Sequence, residues 1–318
     1  MTFDMLVIPE PDLRATVDMV RFLEAHSFNC AWIADSPPLD WPDVYMTLAL
    51  CSAETSRIKL APGVTNPITR HASVTANALV TLHRLSAGRA ELGVGLGYSA
   101  VRAAGLKPAR LQELTIYLES LRSIFRQRNV SIPIYVAASG LRTLLTAGQV
   151  GDGAMVTVGT HPVLVRRALQ YIERGATEAG RDPGSIEVVF LAALALSDDP
   201  KEARHEARSV AARRALDAEY HSDFFLPPEL ESLRADALRV AQHYDVQRHV
   251  DPEAPHNSLV TDALVDAFTL AGSPDQCVSK IQAMQKAGAR RVALFPAGRD
   301  RRGATELFVR AVLPRFQQ

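Results

Sequence analysis

The chain has 318 residues, enough for one large domain or two ordinary ones, and its 47% apolar and 22% charged content is that of a globular protein with a full core. Lys plus Arg and Asp plus Glu stand at 35 each, so net charge gives no reason to expect a nucleic acid or an anionic membrane as partner. Cys30, Cys51 and Cys277 are scattered with no Cys-x-x-Cys pair, and no apolar run approaches the roughly 20 residues of a membrane span, which argues against a disulfide framework, a zinc site and a transmembrane helix.

The opening MTFDMLVIPEPDLR carries acids and prolines where a secretory leader is basic and then apolar, so the expected compartment is the cytoplasm. Its apolar part, Phe3 to Ile8, predicts a first strand, followed by a helix from about Leu13 to His26. Asn29 to Ala34 predicts the second strand and VYMTLALCSAET the second helix. Ile58 to Val64 and ASVTANALVTLHRL form the third pair, Ala90 to Leu96 and ARLQELTIYLESLRSIF the fourth. Ile132 to Ala137 with LRTLLTAGQV, then Gly153 to Val158 with a helix from Pro162 to about Ala179, continue the alternation. A seventh run, Ile186 to Leu196, precedes a charged, helical and loop-rich stretch from Ser197 to about Ser273. Ser273-Pro274-Asp275 reads as an N-cap followed by proline at the first helical position. Arg291 to Phe295 and a helix through TELFVRAVLPRF close the chain.

These runs are apolar on both faces, as parallel strands covered on both sides are, and strands alternating with helices predict βαβ units. Eight such pairs predict a (β/α)8 TIM barrel, a single domain over 1–318 with a helical insertion at 197–273 before the last strand; an open doubly wound sheet is the alternative. In a barrel, function sits where strands end. The predicted exits are rich in small residues, which let a flat ligand approach the backbone. Gly93-Val94-Gly95-Leu96-Gly97 lacks the G-x-G-x-x-G spacing of a dinucleotide fingerprint and reads more readily as close packing. Ala137-Ala138-Ser139-Gly140 runs from a strand into a helix and is the better phosphate candidate, with Thr157-Val158-Gly159 beside it, although Ser139 could simply cap the helix. Asp35 can meet a ring N–H or a hydroxyl, or cap a turn. Asp35, His71 and Tyr98 are the candidate catalytic groups, each with a plainer reading as a cap or rim residue. The nine histidines form no metal-ligating spacing, and no nucleophile elbow appears.

LAPGVTNPITRHASVTANALVTLHRLSAGRAELGVGLG resembles the luciferase-like flavin and deazaflavin oxidoreductases, in particular their methylenetetrahydromethanopterin-reductase-like branch. WIADS, IPIYVAASG, VGDGAMV, AGRDP and AGSPDQCVSKIQAMQKAGARRVALFP extend the resemblance over nearly the whole chain. The resemblance implies a luciferase-like barrel and coenzyme F420, with FMN as the alternative cofactor. It also implies a non-proline cis peptide at Gly63-Val64, in a bulge that backs the central ring. Asp35 would then meet polar groups of the ring, Thr65 and Asn66 the ring and its side chain. Ala138, Ser139, Gly140 and Leu141, with Val158 and Gly159, would hold the phosphate. Three departures stand out: Ser36 replaces a frequent histidine, Tyr98 a frequent acid, and the segment before the fifth strand is cut to RQRNVS. The implied activity is hydride transfer between F420 and a small organic molecule with a C=N, C=C or C=O group. An FMN-dependent monooxygenase and a non-catalytic cofactor-binding barrel are the rivals. A homodimer is the expected assembly.

Overall fold

The computed structural model describes all residues except 37–40, 221, 246–247, 249–250 and 318. Pro37 and Pro38, which follow the second predicted strand, lie outside the described residues. The elements run β1 (Thr2–Val7), α1 (Leu13–Ala25), β2 (Cys30–Ile33), α2 (Val44–Ala53), β3 (Lys59–Pro62), α3 (Ala72–Leu85), β4 (Leu92–Val94), α4 (Tyr98–Ala103) and α5 (Leu111–Gln127). They continue as β5 (Ile134–Ala138), α6 (Leu141–Val150), β6 (Gly153–Val156), α7 (Pro162–Glu178) and β7 (Glu187–Leu196). The remainder is α8 (Pro200–Tyr220), α9 (Ser222–Phe225), α10 (Arg234–Gln242), α11 (Asp262–Phe268), β8 (Leu270–Gly272), α12 (Pro274–Lys286), β9 (Arg291–Pro296) and α13 (Arg301–Ala311).

The strands pair in the order β3-β2-β1-β9-β7-β6-β5-β4, all parallel. The two ends of that order meet: Leu60 bridges Ala90 and Thr65 bridges Val94, also in parallel. The sheet therefore closes into a (β/α)8 barrel, and the open-sheet alternative falls away. Five steps separate Leu60 from Thr65 while four separate Ala90 from Val94, so the β3 side carries one extra residue, the signature of a bulge. The Gly63-Val64 peptide inside that bulge is cis.

Among the described residues nine strands are present where eight were expected. The additional β8 is three residues long and pairs with Leu194–Leu196, the part of β7 that runs on past β6. The short α4 after β4 was likewise unforeseen. Ser273 caps α12 as its sequence predicts, with Pro274 at the first helical position and Gln276 completing a capping box.

Side chains alternate across the barrel wall. Phe3, Met5, Val7, Ile33, Leu60, Val136 and Val156 face the helices in the large outer core. Cys30, Trp32, Ala61, Tyr135, Met155, Val189 and Ala293 fill the barrel interior. Beneath them, toward the N-terminal ends of the strands, lies a buried ionic layer. Arg291 donates to Asp4 (2.8 Å), to Glu91 (2.9 Å) and to the Tyr135 hydroxyl (2.8 Å), and it pairs with Glu187 (3.0 Å). The floor is thus sealed, and any ligand must enter from the other end.

Candidate active site

One turn of alternation above the sealed interior, the inward-facing residues change character. Leu6, Val64 and Leu191 are only partly buried, and so are Ile8, Ala137, Thr157 and Phe295 at the C-terminal ends of their strands. The barrel is packed at its waist and open at this mouth, with a floor of small and apolar side chains. Gly93 and Gly95 make that floor possible. A Cβ on Gly93 would sit 2.6 Å from the Pro62 carbonyl oxygen and 2.7 Å from Val64, and one on Gly95 would sit 3.0 Å from Ala137. These two glycines are packing residues, as the missing fingerprint spacing implied.

The exits of β2 and β3 and the first turn of α2 converge on a group of polar side chains. Asn66 accepts hydrogen bonds at Oδ1 from the Ile68 and Thr69 N–H groups (3.0 and 2.9 Å) and from the Thr69 hydroxyl (3.2 Å). That oxygen is saturated, which fixes the amide orientation and leaves Nδ2 as a donor with no acceptor. Buried with it, and also without a hydrogen-bond partner, are Ser36 Oγ, Tyr45 OH and Thr65 Oγ1. Buried polar atoms are normally bonded, so four orphans on neighbouring elements are groups with which a ligand could bond. Asp35 stands among them. Burial raises its carboxyl above the usual 3.8, while Thr65 and Arg70 act to lower it and Asp43 to raise it. Thr65 is close enough to influence Asp35 but is not held in a hydrogen bond of good geometry. Several donors around one carboxyl suit a flat heterocycle whose polar edge mixes carbonyls with a ring N–H.

At the β5 exit, Gly140 occupies the N-cap of α6, not Ser139. The Ser139 and Gly140 N–H groups donate to the Thr143 hydroxyl (3.2 and 3.1 Å), and Leu144 N–H makes the first helical bond to Gly140. The first-turn N–H groups of Leu141, Arg142 and Thr143 precede that bond and have no intrahelical acceptor, as at any helix start. At the β6 exit, Gly159 has φ +98°, and a Cβ there would meet Phe268 at 2.8 Å. Thr160 and His161 donate their N–H groups to Ala267, which fastens this loop to α11. Arg214 of α8 donates to the Thr157 carbonyl (2.8 Å) and faces Asp217 at 2.7 Å, so the segment after β7 reaches the same rim.

The candidate catalytic residues separate. His71 is the exposed N-cap of α3; its Nδ1 lies 2.8 Å from the Ser73 hydroxyl and 3.3 Å from the Ser73 N–H. Tyr98 opens α4, is 51% exposed, and has the Arg102 guanidinium 5.4 Å from its ring centroid. Sequence reasoning missed Tyr45, which a helix-patterned run disguised as an ordinary core residue. Its hydroxyl becomes conspicuous only when β3 places Thr65 against it.

A profile of the luciferase-like monooxygenases matches residues 2–291. The 5,10-methylenetetrahydromethanopterin reductase of Methanolobus tindarius is 29% identical, over 98% of this chain and all of that one. The structure of the coenzyme F420 dependent tetrahydromethanopterin reductase from Methanopyrus kandleri superposes with a TM-score of 0.77 at 24% identity, covering 99% of each chain. An F420-dependent secondary alcohol dehydrogenase in complex with an F420-acetone adduct gives 0.78 at 17% identity, covering 100% of this chain and 99% of that one. With the closed barrel, its open mouth and the match along most of its length, the chain belongs to the luciferase-like monooxygenase family.

Proposed function

We propose that this chain is a coenzyme F420-dependent oxidoreductase, acting on a small organic substrate with a C=N, C=C or C=O group. The observation that carries the reading is the set of four orphaned polar atoms around Asp35, above a floor of small side chains. It fits a planar ring with a polar edge. The similar proteins whose names include F420 are a reductase and a dehydrogenase, which supports the cofactor and leaves the substrate at the level of a class.

When bound, the deazaflavin supplies the centre that exchanges a hydride. Asp35, Thr65 and Asn66 would hold its polar edge, and the Gly63-Val64 bulge would back the ring. The Ala138–Leu141 turn and Val158-Gly159 would take the phosphate at the start of α6 and beside it. The 197–273 segment is an insertion in one barrel domain; it would cover the substrate and exclude water, with Arg214 fixing it to the β6 exit. The second copy of a homodimer would cover the exposed Met46 and Leu50 of α2, Val74 and Leu85 of α3, and Ile116 of α5. Among the described residues no helix is long and apolar enough to cross a membrane; a cytoplasmic location is part of the proposal.

Thermal unfolding with F420, FMN, FAD and NADPH tests the reading. F420 at 100 times its Kd should stabilise the protein by about 2.7 kcal/mol. A shift with FMN and none with F420 would replace it by the flavin monooxygenase reading, and ligand binding without turnover by a non-catalytic barrel. Sedimentation of the same samples should give twice the 34.7 kDa chain mass.

A further inference from the structure

The polar groups of the mouth occupy only part of its circumference. Ser36, Thr65 and Asn66 lie at the exits of β2 and β3, and the α6 N-terminus and Gly159 at those of β5 and β6. The strands β1, β9 and β7 form another contiguous arc of the sheet. There Ala193 pairs with Phe295 and Met5 with Leu294, so Leu6, Phe295 and Ala193 share one inward level. Above the layer of Asp4, Arg291 and Glu187, every inward side chain of these three strands is hydrocarbon, out to Ile8, Ala297 and Ala195. Leu6, Ile8 and Phe295 are nonetheless partly exposed. The first charged residues beyond them, Glu10, Asp198 and Arg299, are exposed, and Arg299 is paired with Glu253. Arg214, which the segment after β7 brings to the β6 exit, is committed to Asp217 and the Thr157 carbonyl.

We infer that this arc is the substrate wall, and that it selects a neutral molecule whose reducible C=O, C=C or C=N bond is carried on a hydrocarbon chain or ring. The inference rests on the F420 reading above, which gives the polar arc to the cofactor. A phosphate or carboxylate set against Leu6, Ile8 and Phe295 would lose its water and meet no cation, a cost that an uncharged chain escapes. A hydrocarbon gains there instead, since each methylene taken out of water adds about fourfold in affinity. Ile8 and Phe295 stand at the open end of the wall and set the preference.

Calorimetry with unreactive amides reads the wall without turnover. Butanamide, hexanamide and octanamide should bind the F420-loaded wild type about fourfold more tightly per added methylene, with a negative heat-capacity change. The monoamide of adipic acid, which ends in a carboxylate, should bind about 100-fold more weakly than hexanamide. The oxidation of reduced F420 by 2-butanone, 2-hexanone and 2-octanone should follow the same order in kcat/KM. In that reaction the carbonyl carbon takes a hydride from the deazaflavin, which is oxidised; the C=O π pair moves to oxygen, which takes a proton from water. Ile8→Lys should lower the preference for hexanamide over the carboxylated amide by about tenfold or more. That ratio is taken within one variant, so any loss of cofactor affinity cancels, and the wild-type series stands without it. A flat series of amides or of ketones would overturn the inference. So would tighter binding of the carboxylated amide by the wild type, or an unchanged ratio in folded Ile8→Lys. A wild type that binds no F420 would instead remove the parent reading, and the substrate wall with it.

Discussion

Asp35 carries the conflict between stability and binding in a single side chain. Its folded carboxyl sits above the usual 3.8, with burial as the largest cause. A raised folded value means that its contribution is complete below the unfolded pKa and is lost as pH rises through the folded one. Asp35→Asn should therefore flatten the stability profile from about pH 4 upward. In urea melts at pH 7 the ligand-free variant should be at least as stable as the wild type while its F420 affinity falls. Arg89 shows the opposite case, a motif residue with a structural task. Its guanidinium takes the carbonyls of Ser86 (2.8 Å), Ile58 (2.8 Å), Ser52 (3.1 Å) and Thr55 (2.9 Å), joining the ends of α2 and α3 to the start of β3. The motif is visible in the sequence, but three of its four carbonyl acceptors lie more than thirty residues upstream.

Among the elements, the seam between β3 and β4 decides the shape of the mouth. The bulge breaks the ladder between Leu60 and Thr65, and Val64 fills the space that Gly93 and Gly95 leave. Gly93→Ala would press a Cβ on the Pro62 carbonyl and on Val64, so the denaturant midpoint should fall by the equivalent of about 1–3 kcal/mol. An unchanged midpoint would mean that the seam yields. The alternation of strands and helices was legible here because each run is long and periodic. β8 was not, because three residues, Leu270–Gly272, have no period of their own and become a strand only against the extension of β7. α4 escaped for a similar reason: Gly97 in a left-handed conformation starts a six-residue helix with no side-chain cap.

For the whole molecule, the ionic layer under the barrel ties together distant strands. Arg291 serves Asp4, Glu91 and Glu187, while Lys59 reaches only Glu91 (2.7 Å). Three carboxylates share that guanidinium and hold it firmly protonated, whereas Asp4 has only its share of that one cation. Burial consequently raises Asp4 to about 6 in spite of Arg291. Arg291→Met would leave buried carboxylates uncompensated and should cost about 3–5 kcal/mol at neutral pH, a deficit that shrinks as acid protonates them. Asp4→Asn should be milder. It keeps an acceptor for Trp32 Nε1 and Arg291, and it removes the loss of stability that Asp4 contributes as pH rises from about 4 to 6. Chemical denaturation of both variants across that range checks the order.

The sequence by itself determined the alternation of buried strands and amphipathic helices, the capped start of α12 and the Gly-Val-Thr-Asn loop, since periodicity, capping and glycine act over a few residues. Only the tertiary structure decided that the sheet closes and that Arg291 meets three carboxylates. Those contacts join residues far apart in the chain, and their energy depends on burial and partners that no local pattern encodes.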